Sequence, residues 1–122
     1  MKKNGKKLDR SYRHGLTVRL GNAIMDRLYT YQKLCVQQED RRSVPLVELV
    51  ERLVNSGKLS SAKAVEELNE QDPNGYGKQL MLRLDQSTME RLRKIQERLS
   101  KPEKKATLVY SLQRIIAAAP IQ

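Results

Sequence analysis

Two copies of one sequence pattern occur in this chain, and an internal duplication constrains the whole fold. Residues 18–28 recur as residues 82–92, with arginine, leucine, methionine, an acidic residue, arginine and leucine in register at an offset of 64. A second similarity links residues 46–54 to residues 108–116, at an offset of 62. The offset falls by two because the loop inside the second copy is two residues shorter. The duplication therefore predicts two copies of one structural unit.

The size of each copy indicates that the two copies share a core. Each has about 45 residues, which is near the size at which a chain buries too little apolar surface to fold alone. The chain of 122 residues is therefore expected to form one compact domain. It contains no Trp and no Phe, so the core must consist of Leu, Val, Ile and Met with a few Tyr.

Apolar runs and cysteine usage exclude several classes of protein. No apolar run approaches the roughly 20 residues that cross a bilayer, and no apolar stretch follows the basic start, so neither a membrane span nor a secretion signal is predicted. Cys35 is the only cysteine, which excludes an intrachain disulfide and a multi-thiolate metal site. Its position on an apolar helix face predicts a buried thiol. We expect a cytoplasmic protein without a membrane partner.

Groups that perform catalysis are sparse in the sequence. His14 is the only histidine, and no constellation of cysteine, serine or carboxylate residues surrounds it. The sequence has no Walker or dinucleotide-binding glycine motif and no metal-ligand cluster. An enzyme is therefore the least favoured class, and we expect no catalytic residue, cofactor or metal.

The charge balance favours a polyanionic partner. The chain has 24 Lys and Arg against 14 Asp and Glu, a net charge of +10. Six cationic side chains precede residue 14, namely Lys2, Lys3, Lys6, Lys7, Arg10 and Arg13. This segment has almost nothing to bury, so a disordered basic arm is predicted over residues 1–14. A solubilising tail is the alternative interpretation.

Each copy begins with a short segment in which apolar residues occupy every second position. The apolar positions are Leu16, Val18 and Leu20 in the first copy and Leu80, Leu82 and Leu84 in the second. A period of two predicts a strand with one buried and one exposed face. Each strand is too short to be stable unpaired, and no other segment resembles a strand. The two are therefore predicted to pair in a two-stranded ribbon.

The pattern then changes to apolar residues every three or four positions, which predicts an amphipathic helix in each copy. The first apolar stripe comprises Met25, Leu28, either Tyr31 or Leu34, and Cys35, and the second comprises Met89, Leu92, Ile95 and Leu99. Asn22 is the candidate N-cap of the first helix, and Asp85 or Ser87 that of the second. Polar, charged breaks are predicted at residues 37–42 and 100–105.

A second amphipathic helix closes each copy. Its predicted inward residues are Leu46, Val47, Val50, Leu53 and Val54 in the first copy, and Leu108, Val109, Leu112, Ile115 and Ile116 in the second. Ser43 is the candidate cap of the first of these helices, with Pro45 in the opening turn. The second of them is predicted to begin near Thr107.

The segment between the copies differs from them in composition. Ser60 or Ser61 can open a short helix there, and a strong turn signal follows at residues 72–75. Three glutamates on this helix predict that it faces away from any nucleic acid. The predicted divisions of the chain are the arm at 1–14, a first repeat at 15–56, a linker at 57–78 and a second repeat at 79–119.

The order strand, helix, helix, with a strand that reads Leu-Thr-Val-Arg-Leu over residues 16–20, resembles the ribbon-helix-helix family of Arc- and MetJ-like regulators. In that family two chains pair their strands into an antiparallel ribbon that lies in the DNA major groove. Here both strands occur in one chain, which is similar to the TraY-type relaxosome proteins of conjugative plasmids. The resemblance covers residues 15–56 and 79–119. It implies a mainly α fold with a two-stranded antiparallel β-ribbon, in which two ribbon-helix-helix repeats form an intramolecular pseudo-dimer.

The resemblance also implies that the exposed face of the ribbon contacts DNA bases. The positions on this face are Gly15, Thr17, Arg19, Gln79, Met81 and Arg83. Arginine pairs bidentately with guanine, glutamine pairs with adenine, and threonine or methionine can contact a thymine methyl group. Met81 departs from the usual polar pattern and is either a methyl-reading contact or a packing residue.

In the same family the start of the second helix binds backbone phosphates, because unpaired N–H groups and the positive end of the helix dipole meet there. The resemblance assigns this role to Ser43 and Val44 in the first copy and to Ala106 and Thr107 in the second, beside the basic pairs Arg41–Arg42 and Lys104–Lys105. Pro45 lacks an N–H, which removes one donor from the first site. Ordinary loop charge is the alternative interpretation of the basic pairs.

Taken together, these implications favour a sequence-specific double-stranded DNA-binding protein, either a transcriptional repressor or an accessory factor at a plasmid transfer origin. Because the two strands differ, a single chain is expected to read a non-palindromic site as a monomeric pseudo-dimer, and several molecules can assemble side by side on longer DNA. An antitoxin or protein-interaction module is the alternative. It is less favoured because antitoxins of this family carry a toxin-binding tail, whereas this chain ends at Gln122, soon after its last helix. The linker helix is the remaining candidate for a protein contact.

Overall fold

The computed structural model describes residues 14–71 and 77–121. The six cationic side chains of the basic arm and the predicted turn at 72–75 lie outside these residues. The described chain is mainly helical with one two-stranded antiparallel sheet, which confirms the predicted fold class at this level. Its elements, in order, are β1 (His14–Leu20), α1 (Asn22–Glu39), α2 (Leu46–Ser56), α3 (Ala62–Glu70), β2 (Lys78–Leu84), α4 (Gln86–Leu99) and α5 (Leu108–Ile116). None of these helices is long and apolar enough to cross a bilayer.

The two strands pair with Thr17 opposite Met81. These residues are 64 positions apart, so the strands pair about the same position of each copy. Alternation along each strand turns the apolar side chains to one face of the ribbon. On that face Val18, Leu20, Leu80, Leu82 and Leu84 are buried, and Leu16 is partly buried.

The core lies against the inner face of the ribbon and contains apolar residues of both copies. Within the copies, α1 contacts α2 and α4 contacts α5. Between the copies, α2 contacts β2 and α4, α5 contacts β1 and α1, and α2 and α5 contact each other. Each second helix therefore packs against the strand and the first helix of the other copy, and one core serves both.

Most of the predicted inward residues of the helices are buried, and one buried residue of α2 was not predicted. Of the two alternatives in α1, Tyr31 packs against the core, and Cys35 is buried as predicted. Leu49, which the pattern does not place inward, is fully buried. Its counterpart Ser111 is also buried, and the hydroxyl donates to the carbonyl oxygen of Thr107 at 2.9 Å. The residues at the edge of this face are only partly buried, namely Leu46, Val47, Leu108 and Val109.

Two predicted helix caps in the first copy are wrong. Gly21 holds the N-cap position of α1, without a side-chain hydrogen bond, and Asn22 is the first helical residue. Pro45 holds the N-cap position of α2 in place of Ser43. The residue before a proline is restricted to extended conformations, and Val44 is fully buried, so the chain stays extended up to Pro45.

The caps of the second copy are side-chain caps. Asp85 accepts a hydrogen bond from the N–H of Thr88 at 2.8 Å, and Thr107 accepts one from the N–H of Tyr110 at 2.9 Å. Pro45 and Thr107 are 62 positions apart, so α2 and α5 begin at equivalent residues of the duplication.

The end of α1 also differs from the prediction. The helix continues into the expected polar break and ends at Glu39. Glutamine and glutamate, which fill positions 37–39, are good helix formers, so their polarity does not end a helix. Asp40, with φ at 53°, adopts the left-handed conformation that terminates it.

The linker helix α3 packs against α1 and α5. Ser61 caps it by accepting a hydrogen bond from the N–H of Ala64 at 3.1 Å, and Val65 is its buried residue. The side chain of Arg114 in α5 donates to the backbone carbonyl oxygen of Ser60. The backbone carbonyl oxygen of Arg114 accepts a hydrogen bond from the N–H of Ser60 at 2.9 Å. These bonds fix the start of the linker to the second copy.

Candidate nucleic-acid interface

The outer face of the ribbon brings all of the predicted base-contacting positions together. The residues on it are exposed, namely Gly15, Thr17, Arg19, Gln79, Met81 and Arg83. Met81 is 74% exposed, the most open large apolar side chain of the described residues. It does not pack in the core, so the packing alternative for this residue is wrong. A contact with DNA stays a prediction for all six.

The two ends of the ribbon offer different hydrogen-bonding groups. At one end Arg19 lies opposite Gln79, so a guanidinium and an amide are neighbours. At the other end Arg83 lies opposite Gly15, where an added Cβ would meet no atom within 4 Å. The end with Arg19 and Gln79 presents hydrogen-bond donors and the amide acceptor of Gln79. The end with Arg83 and Gly15 presents the donors of one arginine beside open space. The outer face is therefore chemically asymmetric.

The Arg19 side chain is held at the edge of the ribbon. Its Nη1 donates to the carbonyl oxygen of Gly77 at 3.3 Å. Gly77 has φ at 79°, and a Cβ there would lie 2.5 Å from the carbonyl oxygen of Leu20. Only glycine fits this close approach between the chain before β2 and the end of β1. The bond to Gly77 is long and exposed, so the guanidinium can exchange it for a stronger bond to a ligand.

His14 is the first residue of β1, although the predicted boundary assigns it to the arm. Its Nε2 lies 2.8 Å from Oε1 of Gln86, the first residue of α4. This contact joins the end of the ribbon to a helix of the second copy. Within residues 14–71 and 77–121, no group of three or more His, Cys, Asp or Glu side chains is placed to hold a metal ion.

The residues predicted to contact phosphates lie in the loops before α2 and α5. Those with exposed side chains are Arg41, Arg42, Ser43, Lys104, Lys105 and Thr107. Val44 is fully buried, and Ala106 is partly buried with its N–H donating to Oγ of Ser100 at 2.8 Å. The side chain of Val44 and the N–H of Ala106 are thus engaged within the protein.

The two basic pairs do not occupy fully equivalent positions. At the offset of 62 that the helix starts define, Lys104 corresponds to Arg42. Arg41, however, corresponds to Glu103, and Lys105 corresponds to Ser43. The duplication of basic charge therefore holds at one of the two positions.

Two glutamines outside the predicted site hold both loops in the same way. Nε2 of Gln32 donates to the carbonyl oxygen of Val44 at 2.7 Å, and Nε2 of Gln96 donates to that of Ala106 at 2.8 Å. The two glutamines are 64 positions apart and the two acceptor residues are 62 apart, which are the offsets of the duplication before and after the loop. The same hydrogen bond therefore occurs once in each copy. Recurrence of a polar residue at one helix position is the sequence signal that identifies them. They position the chain directly before each second helix.

Arg41 belongs to a four-charge cluster formed by Glu39, Arg41, Glu48 and Arg52. Nη1 and Nη2 of Arg41 lie 2.7 and 3.2 Å from the two carboxylate oxygens of Glu48. Arg52 donates to both Glu39 and Glu48. Hydrogen bonds from Arg52 lower the pKa of Glu39, and hydrogen bonds from Arg41 and then Arg52 lower the pKa of Glu48. All four groups are therefore charged at neutral pH.

The equivalent part of the second copy is built differently. Tyr110 occupies the position of Glu48, and Arg114 occupies that of Arg52. Nη1 of Arg114 donates to the Tyr110 hydroxyl at 3.1 Å, and the guanidinium lies 5.7 Å from the ring centroid. The first turn of α5 contains no acidic residue, whereas that of α2 contains Glu48.

Comparison of the chain with protein-family models, with curated proteins and with solved structures gives no match. The resemblance to ribbon-helix-helix proteins rests on the strand and helix patterns of the sequence.

Proposed function

We propose that this chain binds double-stranded DNA in a sequence-specific manner, with the β-ribbon in the major groove and without catalytic activity. The observation that carries the proposal is the outer face, where two arginines, a glutamine, a threonine and a methionine are exposed together. The major groove, about 12 Å wide, admits a two-stranded ribbon, and these side chain types suit the edges of guanine, adenine and thymine. The net charge of +10 supplies attraction to any DNA sequence.

The two copies act, in this proposal, as the halves of one intramolecular pseudo-dimer. The pairing of the ribbon about Thr17 and Met81, which are equivalent in the duplication, supports it. The crossed contacts of α2 and α5, and the repeated glutamine hydrogen bond before each of these helices, support it as well. One chain then supplies both strands, so we expect a monomer in solution and side-by-side assembly only on longer DNA.

The unequal ends of the ribbon favour a non-palindromic DNA site. A symmetric homodimer reads a site that mirrors its own two-fold axis. This ribbon has Arg19 with Gln79 at one end and Arg83 with Gly15 at the other. The half-site that faces Arg19 and Gln79 should therefore contain more specified bases than the half-site that faces Arg83.

Two cytoplasmic roles fit a DNA-binding protein of this kind, namely transcriptional repressor and accessory factor at a plasmid transfer origin in conjugation. The place of the binding site, over a promoter or beside a transfer origin, distinguishes them.

An antitoxin or protein-interaction module is the second candidate class. The observation that favours it is the exposed acidic surface of α3, with Glu66, Glu67 and Glu70. A protein partner that stays bound during purification at high salt would support this class.

Selection of binding sites from random duplexes tests the proposed function. We expect one enriched motif without two-fold symmetry, in which one half is more strongly specified. A double variant with Arg19→Ala and Arg83→Ala serves as the control and should enrich at most a weaker motif, without the guanines that the two arginines specify. Failure of the native protein to enrich any sequence would contradict sequence-specific binding, and a palindromic motif would contradict the unequal ends.

Deletion of residues 1–13 is expected to weaken DNA binding and to flatten its dependence on salt. Each cation that contacts a phosphate contributes a slope of about −0.9 to the plot of log affinity against log salt concentration. Six cations are removed, so the slope should fall in magnitude by as much as about 5. Titrations at several salt concentrations measure it. An unchanged slope would mean that the arm is a solubilising tail.

A further inference from the structure

We propose that Glu48 makes phosphate binding unequal between the two copies, because its carboxylate occupies Arg41 at the start of α2. The second copy then holds the DNA backbone more tightly than the first. This inference rests on the proposed function and assigns a role in phosphate binding to a residue outside the predicted site.

The contact between Arg41 and Glu48 has the geometry of phosphate recognition. Two guanidinium nitrogens of Arg41 face two oxygens of one carboxylate, at 2.7 and 3.2 Å. An arginine fork binds two oxygens of a phosphate in the same bidentate way. A DNA phosphate must therefore displace the Glu48 carboxylate before it can make this same two-nitrogen contact with Arg41, and Arg52 holds that carboxylate from a second direction.

Glu48 also lowers the positive potential at the N-terminus of α2. It lies in the first turn of α2, where its negative charge offsets the positive end of the helix dipole. Pro45, at the N-cap of the same helix, has no N–H to donate. Both features reduce the attraction of this helix start for an anion.

The four-charge cluster contributes little to the stability of the fold. Its side chains are between 33 and 39% exposed, and ion pairs at such exposed positions add little to stability because water screens them. Its consequence is electrostatic, because two negative charges cancel the two positive charges of Arg41 and Arg52. The cluster thus lies open to solvent without offering a net positive charge.

The equivalent segment of the second copy keeps its positive charge. Residues 39–48 contain two cationic and three acidic side chains, whereas the equivalent residues 101–110 contain three cationic and one acidic. Lys101, Lys104 and Lys105 are exposed there. Tyr110 replaces Glu48, so no carboxylate from the first turn of α5 competes for these ammonium groups. Glu66 of α3 lines the same cavity as the three lysines, but among the described residues no ion pair joins it to them.

Glu48→Gln tests the inference by a gain of binding. The variant keeps the side-chain shape but removes the competing charge, so Arg41 becomes available to phosphate. We expect affinity for a random-sequence duplex to rise about 3- to 10-fold at low salt, and the salt slope to steepen by about 1. Tyr110→Glu, which installs the carboxylate in the second copy, should lower the same affinity and flatten the slope.

Glu67→Gln is the matched control, since Glu67 is an exposed glutamate of α3 and its removal changes the net charge equally. A gain with Glu48→Gln that does not exceed the gain with Glu67→Gln would overturn the inference.

If circular dichroism shows that Glu48→Gln does not fold, the variants Arg41→Ala and Lys104→Ala test the inference instead. Lys104→Ala should then weaken binding more than Arg41→Ala, and equal weakening would overturn the inference. Absence of DNA binding by the native chain would instead refute the proposed function itself.

Discussion

Replacing Leu84 with alanine is expected to lower the free energy of unfolding by about 2–5 kcal/mol, because it opens a cavity in the shared core. Leu84 ends β2, and its side chain is fully buried. α2 of the first copy contacts this strand of the second copy, so the cavity disturbs packing between the copies. Domains of this size are stable by about 5–15 kcal/mol, so the loss is a large fraction of the total.

Leu20 provides the matched variant, because it occupies the equivalent position of β1 and is also fully buried. Leu20→Ala should have a similar effect, whereas Met81→Ala, on the exposed face, should change the unfolding free energy by less than about 0.5 kcal/mol. Chemical denaturation at several protein concentrations measures both stability and association. We expect one transition with a midpoint independent of concentration, as for a monomer with one core. Separate transitions for the two copies would contradict the shared core, and a midpoint that rises with concentration would contradict the monomer.

The strands could be predicted from the sequence because their signal is local. Alternation at Leu16, Val18 and Leu20 specifies the buried face of β1, since successive side chains of a strand point to opposite faces. The exposed face follows from the same alternation, which is why the positions of Arg19 and Arg83 agree with the prediction. The pairing of the strands follows because the chain has only two segments of strand character.

The start of α2 was not predictable in the same way, because it depends on the burial of the residue before it. Ser43 has the residue type of an N-cap, and residue type alone favours it. The burial of Val44 and the restriction imposed by Pro45 move the helix start two residues further on. Val44 belongs to the core that both copies form, and a local sequence pattern does not show this burial.

The paired state of Arg41 was also beyond sequence reasoning. It depends on the unexpected length of α1, which brings Glu39 to the cluster, and on the start of α2, which puts Glu48 in the first turn. A charge that looks available in the sequence is thus engaged in the folded chain. The glutamines Gln32 and Gln96, in contrast, could have been identified, since their recurrence at an offset of 64 is visible in the sequence.

Arg83→Ala is expected to weaken binding to the selected DNA site by about 1–3 kcal/mol, or roughly 5- to 150-fold. A guanidinium on the outer face can bind O6 and N7 of a guanine together, and alanine retains neither bond. Arg19→Ala should have an effect of the same size. Titration of each variant against the selected site and against a random duplex separates base contacts from phosphate contacts. Equal losses on both duplexes would assign the arginine to a phosphate.

The two arginine variants should differ in the base preference that remains. Arg83 lies opposite Gly15, which has no side chain to read a base. Removal of the Arg83 side chain should therefore leave that half-site unspecified. Arg19 lies opposite Gln79, whose amide can still pair with an adenine, so its removal should leave partial specificity. Repeating the site selection with each variant measures this difference.

Because an added Cβ at Gly15 meets no atom within 4 Å, Gly15→Gln should fold normally and extend the motif on the Arg83 side. A motif unchanged by Gly15→Gln would mean that this position of the ribbon does not face a base.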